Sequence, residues 1–76
     1  MSLLTSIQIN CIELSCDYET SRRAGADGKF QLYNVRILTD FGDLNPSFDA
    51  GQHYDNLEEA VRDLGFDPAS VNFDEV

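Results

Sequence analysis

"TSIQINCIELSCDYET", residues 5–20, alternates apolar with polar side chains, and its apolar set is rich in β-branched isoleucine. Both properties are typical of a strand with one buried face. The apolar residues occupy odd positions up to Cys11 and even positions from Ile12 onward. A β-bulge at Cys11-Ile12 would return them all to one face, because one inserted residue reverses the alternation. A strand covered on both faces is the alternative.

A second strand is predicted in "FQLYNVRILTDF", residues 30–41, which has its own change of alternation at Leu32-Tyr33. The intervening "RRAGADGK", residues 22–29, holds two glycines and an Asp-Gly pair, which favour a hairpin loop. The two strands therefore predict a long antiparallel β-hairpin. The following "GDLNPSFDAGQHYD", residues 42–55, predicts a loop with an optional short third strand at residues 47–49.

The clearest helix signal is "YDNLEEAVRDLGFD", residues 54–67. Either Asp55 or Asn56 is expected to cap its N-terminus, and Gly65 is expected to end it. Its apolar residues follow the i, i+3, i+4, i+7 spacing of one helix face: Leu57, Ala60, Val61 and Leu64. Asp67 and Pro68 predict a further turn before the C-terminal "VNFDEV", which is interpreted as a short strand or a tail.

Together these segments predict an α+β fold in a single domain spanning residues 1–76. We expect a small antiparallel β-sheet, made of the long hairpin and the optional third strand, covered on one face by a single α-helix. A chain of this length buries only a small core, so self-association as a homodimer is a further expectation.

The charge is distributed unevenly along the chain. Residues 1–38 hold four acids and four bases, whereas residues 39–76 hold ten acids and Arg62 alone, which accounts for the whole net charge of −9. Such a field repels nucleic acid and anionic membranes and favours basic protein surfaces. Within the helix, Asp55, Glu58 and Glu59 suit the positive end of the dipole, but Asp63 has no such local reason.

No pattern in the sequence predicts an enzyme, a cofactor site or a metal site. His53 is the only histidine, and Cys11 and Cys16 belong to a strand far from it. Spaced along a strand, the two cysteines are about 16 Å apart, too far to form a disulfide with each other. No apolar run approaches the roughly 20 residues of a membrane span, and no secretion signal is recognisable, so a cytoplasmic protein is expected.

The segment "GQHYDNLEEAVRDL", residues 51–64, resembles the helix entry of small antitoxins of the HicB kind, whose β-β-β-α order is similar. It consists of generic helix-start chemistry over fourteen residues and identifies no family. The short, acidic, single-domain profile is also similar to small phage-encoded inhibitors, including anti-CRISPR proteins and nucleic-acid mimics.

These observations favour a non-enzymatic binding protein that docks its acidic half on a basic protein or complex that handles nucleic acid, without binding nucleic acid or membranes itself. The candidate contacts are six carboxylates and two aromatic anchors of the long loop: Asp40, Asp43, Asp49, Asp63, Asp67, Asp74, Phe48 and Tyr54. The alternative is a homodimeric structural or antitoxin-like module whose acidity serves solubility only.

Overall fold

The computed structural model describes residues 9–76. In chain order its elements are β1 (Ile9–Asp17), α1 (Tyr18–Arg23), β2 (Gln31–Thr39), β3 (Gly42–Leu44), α2 (Leu57–Asp63) and β4 (Phe73–Glu75). The four strands form one sheet in the order β3-β2-β1-β4. The α+β class is confirmed. The predictions of a purely antiparallel sheet and a single helix are wrong, because β4 lies parallel to β1 and α1 is a second helix.

The antiparallel pairing of β1 with β2 contains two irregularities, and both preserve a single buried face. Asn10 is the extra residue of β1, one position before the predicted bulge, so Ile9 packs with Ile12 while Cys11 points to the opposite face. On β2 the extra residue is Tyr33, at the position where the alternation changes. Part of the first strand's predicted apolar set lies outside the described residues.

The core lies between the sheet and α2. Strands β1 and β2 contribute the buried residues Ile12, Leu14, Leu32, Val35 and Ile37, and α2 contributes Ala60 and Val61. Phe30, just before β2, and Tyr54, in the loop before α2, complete this cluster. Leu57 and Leu64 are half-buried and pack against this cluster, so the predicted apolar stripe of the helix is confirmed. The stripe covers the apolar face of the hairpin and removes it from water. Each Å² of apolar surface buried in this way stabilises the fold by roughly 25 cal/mol.

Side-chain and backbone caps set both ends of α2. The Asn56 carboxamide oxygen accepts the backbone N–H of Glu59 at 3.0 Å, as expected of an N-cap. Gly65 adopts φ 99°, a left-handed conformation that suits glycine, and its N–H donates to the carbonyl of Arg62. Phe66 N–H then donates to the carbonyl of Val61, which completes a Schellman motif. These contacts confirm the predicted start and stop of the helix.

Helix α1 replaces the expected continuation of the first strand. Asp17 caps it by accepting the Thr20 N–H at 3.0 Å, and Gly25 ends it at φ 85°. The Ala26 N–H donates to the carbonyl of Ser21, so α1 ends in the same Schellman geometry as α2. The sequence therefore contained an N-cap and a C-terminal glycine that the alternating pattern of the strand obscured.

The two short edge strands form at positions that the sequence left open. The third strand lies at β3, earlier than the predicted residues 47–49, because a tight turn follows β2. In that turn the Thr39 hydroxyl donates to the carbonyl of Gly42 at 2.7 Å and accepts the Phe41 N–H. At the C-terminus, "VNFDEV" contains the strand β4.

Candidate functional site

The structure does not bring the eight candidate residues together on one surface. Asp43 and Asp74 lie on the edge strands β3 and β4, on the sheet face opposite α2. Asp49, Asp63 and Asp67 lie around α2, on the other side of the sheet. We call the face opposite α2 the open face and the region around α2 the helix side.

On the helix side, Tyr54 is a structural residue. It is 4% exposed, its backbone pairs in both directions with Phe30, and its hydroxyl donates to Asp63 Oδ2 at 2.6 Å. Burial and this hydrogen bond raise the pKa of Tyr54 above its ordinary value. Asp63, which lacked a reason in the helix sequence, thus anchors Tyr54 to α2. Tyr54 has almost no surface to offer as an anchor, and Phe48 is half-buried against the core.

Two further helix-side acids stabilise turns. The Asp67 carboxylate accepts the Ala69 N–H and the Ser70 hydroxyl, each at 3.0 Å, and these bonds hold the pKa of Asp67 below its ordinary value. Asp49 Oδ1 accepts the Gly51 N–H at 2.9 Å. Both are local side-chain to backbone bonds of the kind that Asp forms in turns. Three of the six candidate carboxylates therefore have intramolecular roles.

The remaining three carboxylates are less engaged. Asp40, in the turn after β2, accepts one hydrogen bond from the Asn10 side chain at 3.0 Å. Asp43 Oδ2 lies 3.7 Å from Arg36 Nη1, a weak ion pair between exposed groups. Asp74 is exposed, and within residues 9–76 its side chain has no hydrogen bond or ion pair.

Four of the five cationic side chains are paired with acids of the same chain. Arg22 and Arg23 both lie beside Glu19, and Lys29 Nζ lies 3.3 Å from Asp55. Arg36 binds Glu13 across the β1–β2 pair. The fifth, Arg62, forms no ion pair of 4.0 Å or less within residues 9–76. Its charge instead helps to lower the pKa of Asp67.

A shallow cleft of about 390 Å³ opens on the helix side. Its lining mixes both signs of charge and includes Lys29, His53, Asp55, Glu59, Arg62 and Asp63. His53 Nδ1 lies 2.8 Å from the hydroxyl of Ser21, a pair that the sequence spacing did not suggest. Ser21 is 0% exposed, so its hydroxyl is shielded from a substrate and this bond joins α1 to the loop before α2.

The described residues contain two free thiols and no cluster of metal ligands. No group of three or more His, Cys, Asp and Glu side chains in residues 9–76 is placed to hold a metal ion. Cys11 and Cys16 are free thiols. Burial raises the pKa of both, to about 11 for Cys16, which keeps them protonated and weakly nucleophilic at neutral pH.

Neither helix found in residues 9–76 has the length and apolarity needed to cross a membrane. Comparisons of the chain with protein-family models, with curated proteins and with solved structures found no match.

Proposed function

We propose that this protein is a small, acidic, non-enzymatic binding protein that docks on a basic surface of a protein or complex that handles nucleic acid. Such surfaces carry Lys and Arg placed for phosphates, so an acidic protein of this size acts on them as an inhibitor or nucleic-acid mimic. The proposal places it in the cytoplasm, where Cys11 and Cys16 stay reduced.

The observation that carries the proposal is the excess of acids that the chain does not neutralise itself. Four of its five cations are already paired, and each pairs with acids in the same chain. Asp27, Glu58 and Asp74 are exposed and have neither an ion pair nor a side-chain hydrogen bond within residues 9–76. Unpaired exposed carboxylates repel one another, and a basic partner would relieve that repulsion.

The test is affinity capture by the tagged full chain from a lysate of its native host, washed at about 0.1 M and then about 1 M salt, where the screening length falls from roughly 10 Å to 3 Å. We expect a basic, nucleic-acid-handling protein that is retained at low salt and released at high salt. A variant with Asp40, Asp43 and Asp74 changed to Asn should capture less of it. With the purified partner, the same variant should chiefly slow association and flatten its dependence on salt.

Two results would overturn the proposal. One is a partner whose retention changes neither with salt nor in the variant, since its binding would not be electrostatic. The other is recovery of the protein itself and nothing else at both salt concentrations.

The second candidate function, a homodimeric structural or antitoxin-like module, is favoured by one specific feature. Phe41 is 88% exposed at the turn beside the edge strand β3, where Leu44 is also exposed. Apolar side chains at a sheet edge suit pairing between two copies. Sedimentation velocity of the wild type and of Phe41→Ser, at low and high salt, tests this function. A salt-insensitive dimer that Phe41→Ser dissociates would support it, and a monomeric wild type would exclude it.

A further inference from the structure

The open face of the sheet combines a small apolar centre with an acidic border. Cys11 and Leu38 are directly opposite each other on β1 and β2, and both are half-buried. Asp43 is opposite Leu38 on one edge strand, and Asp74 is opposite Glu13 on the other. Because opposite residues in a sheet point to the same face, these five side chains share one surface.

The part of the chain that the structure describes leaves this surface accessible. α2 packs on the other face, and the ring of Tyr18 in α1 lies tilted against that of Phe30 in the core, at a centroid distance of 5.4 Å. Asp43 and Asp74 are exposed, so no other part of residues 9–76 covers the borders of the open face. A half-buried apolar pair with charged residues on the neighbouring strands has the composition of an interface with an apolar centre and a polar rim.

The charges on the open face specify the sign of the occupant. Arg36 is the only cation among the named face residues, and it is shared between Glu13 and Asp43. Three carboxylates against one guanidinium leave an excess of two negative charges, and Asp74 has no partner within residues 9–76. Burial raises the pKa of Cys11, and the nearby charges of Asp74 and Glu13 raise it further, as expected of carboxylates close to the apolar centre.

The dimensions of the face indicate the shape of the occupant. Asp43 and Asp74 lie on the two edge strands, three strand spacings apart and offset along the strands, which separates them by roughly 15 Å. A helix lying across the four strands covers that distance in about three turns.

We infer that the open face is the docking surface for a cationic amphipathic helix of the partner protein. An apolar side chain of that helix covers Cys11 and Leu38, and Lys or Arg side chains reach Asp43 and Asp74. This inference rests on the proposed function and names the face that performs it. The helix-side acids differ, because Asp63 and Asp67 are held by bonds within the chain.

The experiment uses the full chain and a synthetic amphipathic helix of Leu, Lys and Arg, with a version carrying Glu at every Lys and Arg as the negative control. Methyl NMR reports where the peptide binds. We expect the methyl signals of Leu38 to shift while those of Leu57 and Leu64, on the helix side, stay unchanged. The Glu-containing peptide should shift none of them.

Two charge-matched variants then assign the contacts. Asp43→Asn with Asp74→Asn should weaken peptide binding about five- to tenfold at about 50 mM salt, since exposed ion pairs contribute modestly and add up over two positions. The control variant, Asp27→Asn with Glu58→Gln, removes the same net charge. Both acids lie away from the open face and have no partner within residues 9–76, so this variant should weaken binding less than about twofold. Unchanged methyl spectra of the free variants establish that both remain folded.

Three outcomes would overturn the inference. Shifts at Leu57 and Leu64 without Leu38 would move the docking surface to the helix side and leave the proposed function standing. Equal weakening by the two variants would show that net charge alone, and no particular face, governs binding. Absence of binding to the cationic peptide at low salt would count against the proposed function as well.

Discussion

The two faces of the sheet carry acidic residues that do different work. On the helix side, Asp63 holds the hydroxyl of Tyr54 and Asp67 closes the turn after α2. On the open face, Asp74 has no partner within residues 9–76, and Asp43 makes only a long contact to Arg36. Of these four carboxylates, Asp63 and Asp67 are therefore engaged within the protein, whereas Asp43 and Asp74 stay exposed to solvent.

The largest expected effect contrasts two neighbouring residues of β2. Ile37 is 0% exposed in the core, whereas Leu38 is half-buried on the open face. Ile37→Ala should lower the free energy of unfolding by about 2–5 kcal/mol, because it opens a cavity beneath α2. Leu38→Ala should lower the free energy of unfolding by about 1 kcal/mol or less, because the Leu38 side chain is only half-buried. Urea denaturation of both variants measures the difference, and equal losses would mean that the open face is also core.

The next effect concerns the hydrogen bond between Tyr54 and Asp63. Tyr54→Phe removes the hydroxyl and keeps the buried ring, so it should lower the free energy of unfolding by about 1 kcal/mol. Tyr33→Phe is the matched control, since the Tyr33 side chain is 65% exposed and has no hydrogen bond within residues 9–76. Both variants can be compared by urea denaturation at neutral pH. No loss in Tyr54→Phe would show that the bond is not structural.

Alkaline pH should lower the free energy of unfolding, because the structure stabilises the protonated form of Tyr18. The hydrogen bond that Tyr18 donates to Glu75 at 2.9 Å, with some burial, raises the pKa of Tyr18 to about 12. Because the ordinary value is about 10, the stabilisation is fully present below about pH 10 and is lost as the pH rises towards 12. The free energy of unfolding should fall over that range. Tyr18→Phe should reduce the fall, while Tyr54 and Cys16, whose pKa values are also raised, continue to contribute to it. A slope unchanged by Tyr18→Phe would contradict the assignment.

The sequence predicted the parts of the fold that depend on local periodicity. The apolar stripe and caps of α2 and the change of alternation at Tyr33 all follow from spacing along one segment. The bulge in β1 was predicted one residue too late, at Cys11-Ile12, because both positions explain the change of parity almost equally well. Asn10 is the extra residue, and Cys11 consequently belongs to the open face.

Features that depend on distant contacts could not be predicted in the same way. β4 forms by parallel pairing with β1 across most of the chain, and nothing in "VNFDEV" specifies that partner. The partner of Asp63 is Tyr54, nine residues earlier and outside the helix, so helix rules alone left this carboxylate without a reason. For the candidate site, the sequence showed which residues are acidic. Only the pairing of the strands showed which face of the sheet Asp43 and Asp74 occupy.

The smallest expected effect tests the division of the acids most directly. Asp43→Ala with Asp74→Ala should change the free energy of unfolding by no more than about 0.5 kcal/mol, because both positions are exposed and Asp43 forms only a weak ion pair. The charge-matched Asp63→Ala with Asp67→Ala should lower it by about 1–2 kcal/mol, because it removes the acceptor of Tyr54 and the cap of a turn. Urea denaturation of the two variants at neutral pH is the measurement. Equal losses in both would contradict the claim that Asp63 and Asp67 stabilise the fold whereas Asp43 and Asp74 contribute little to it.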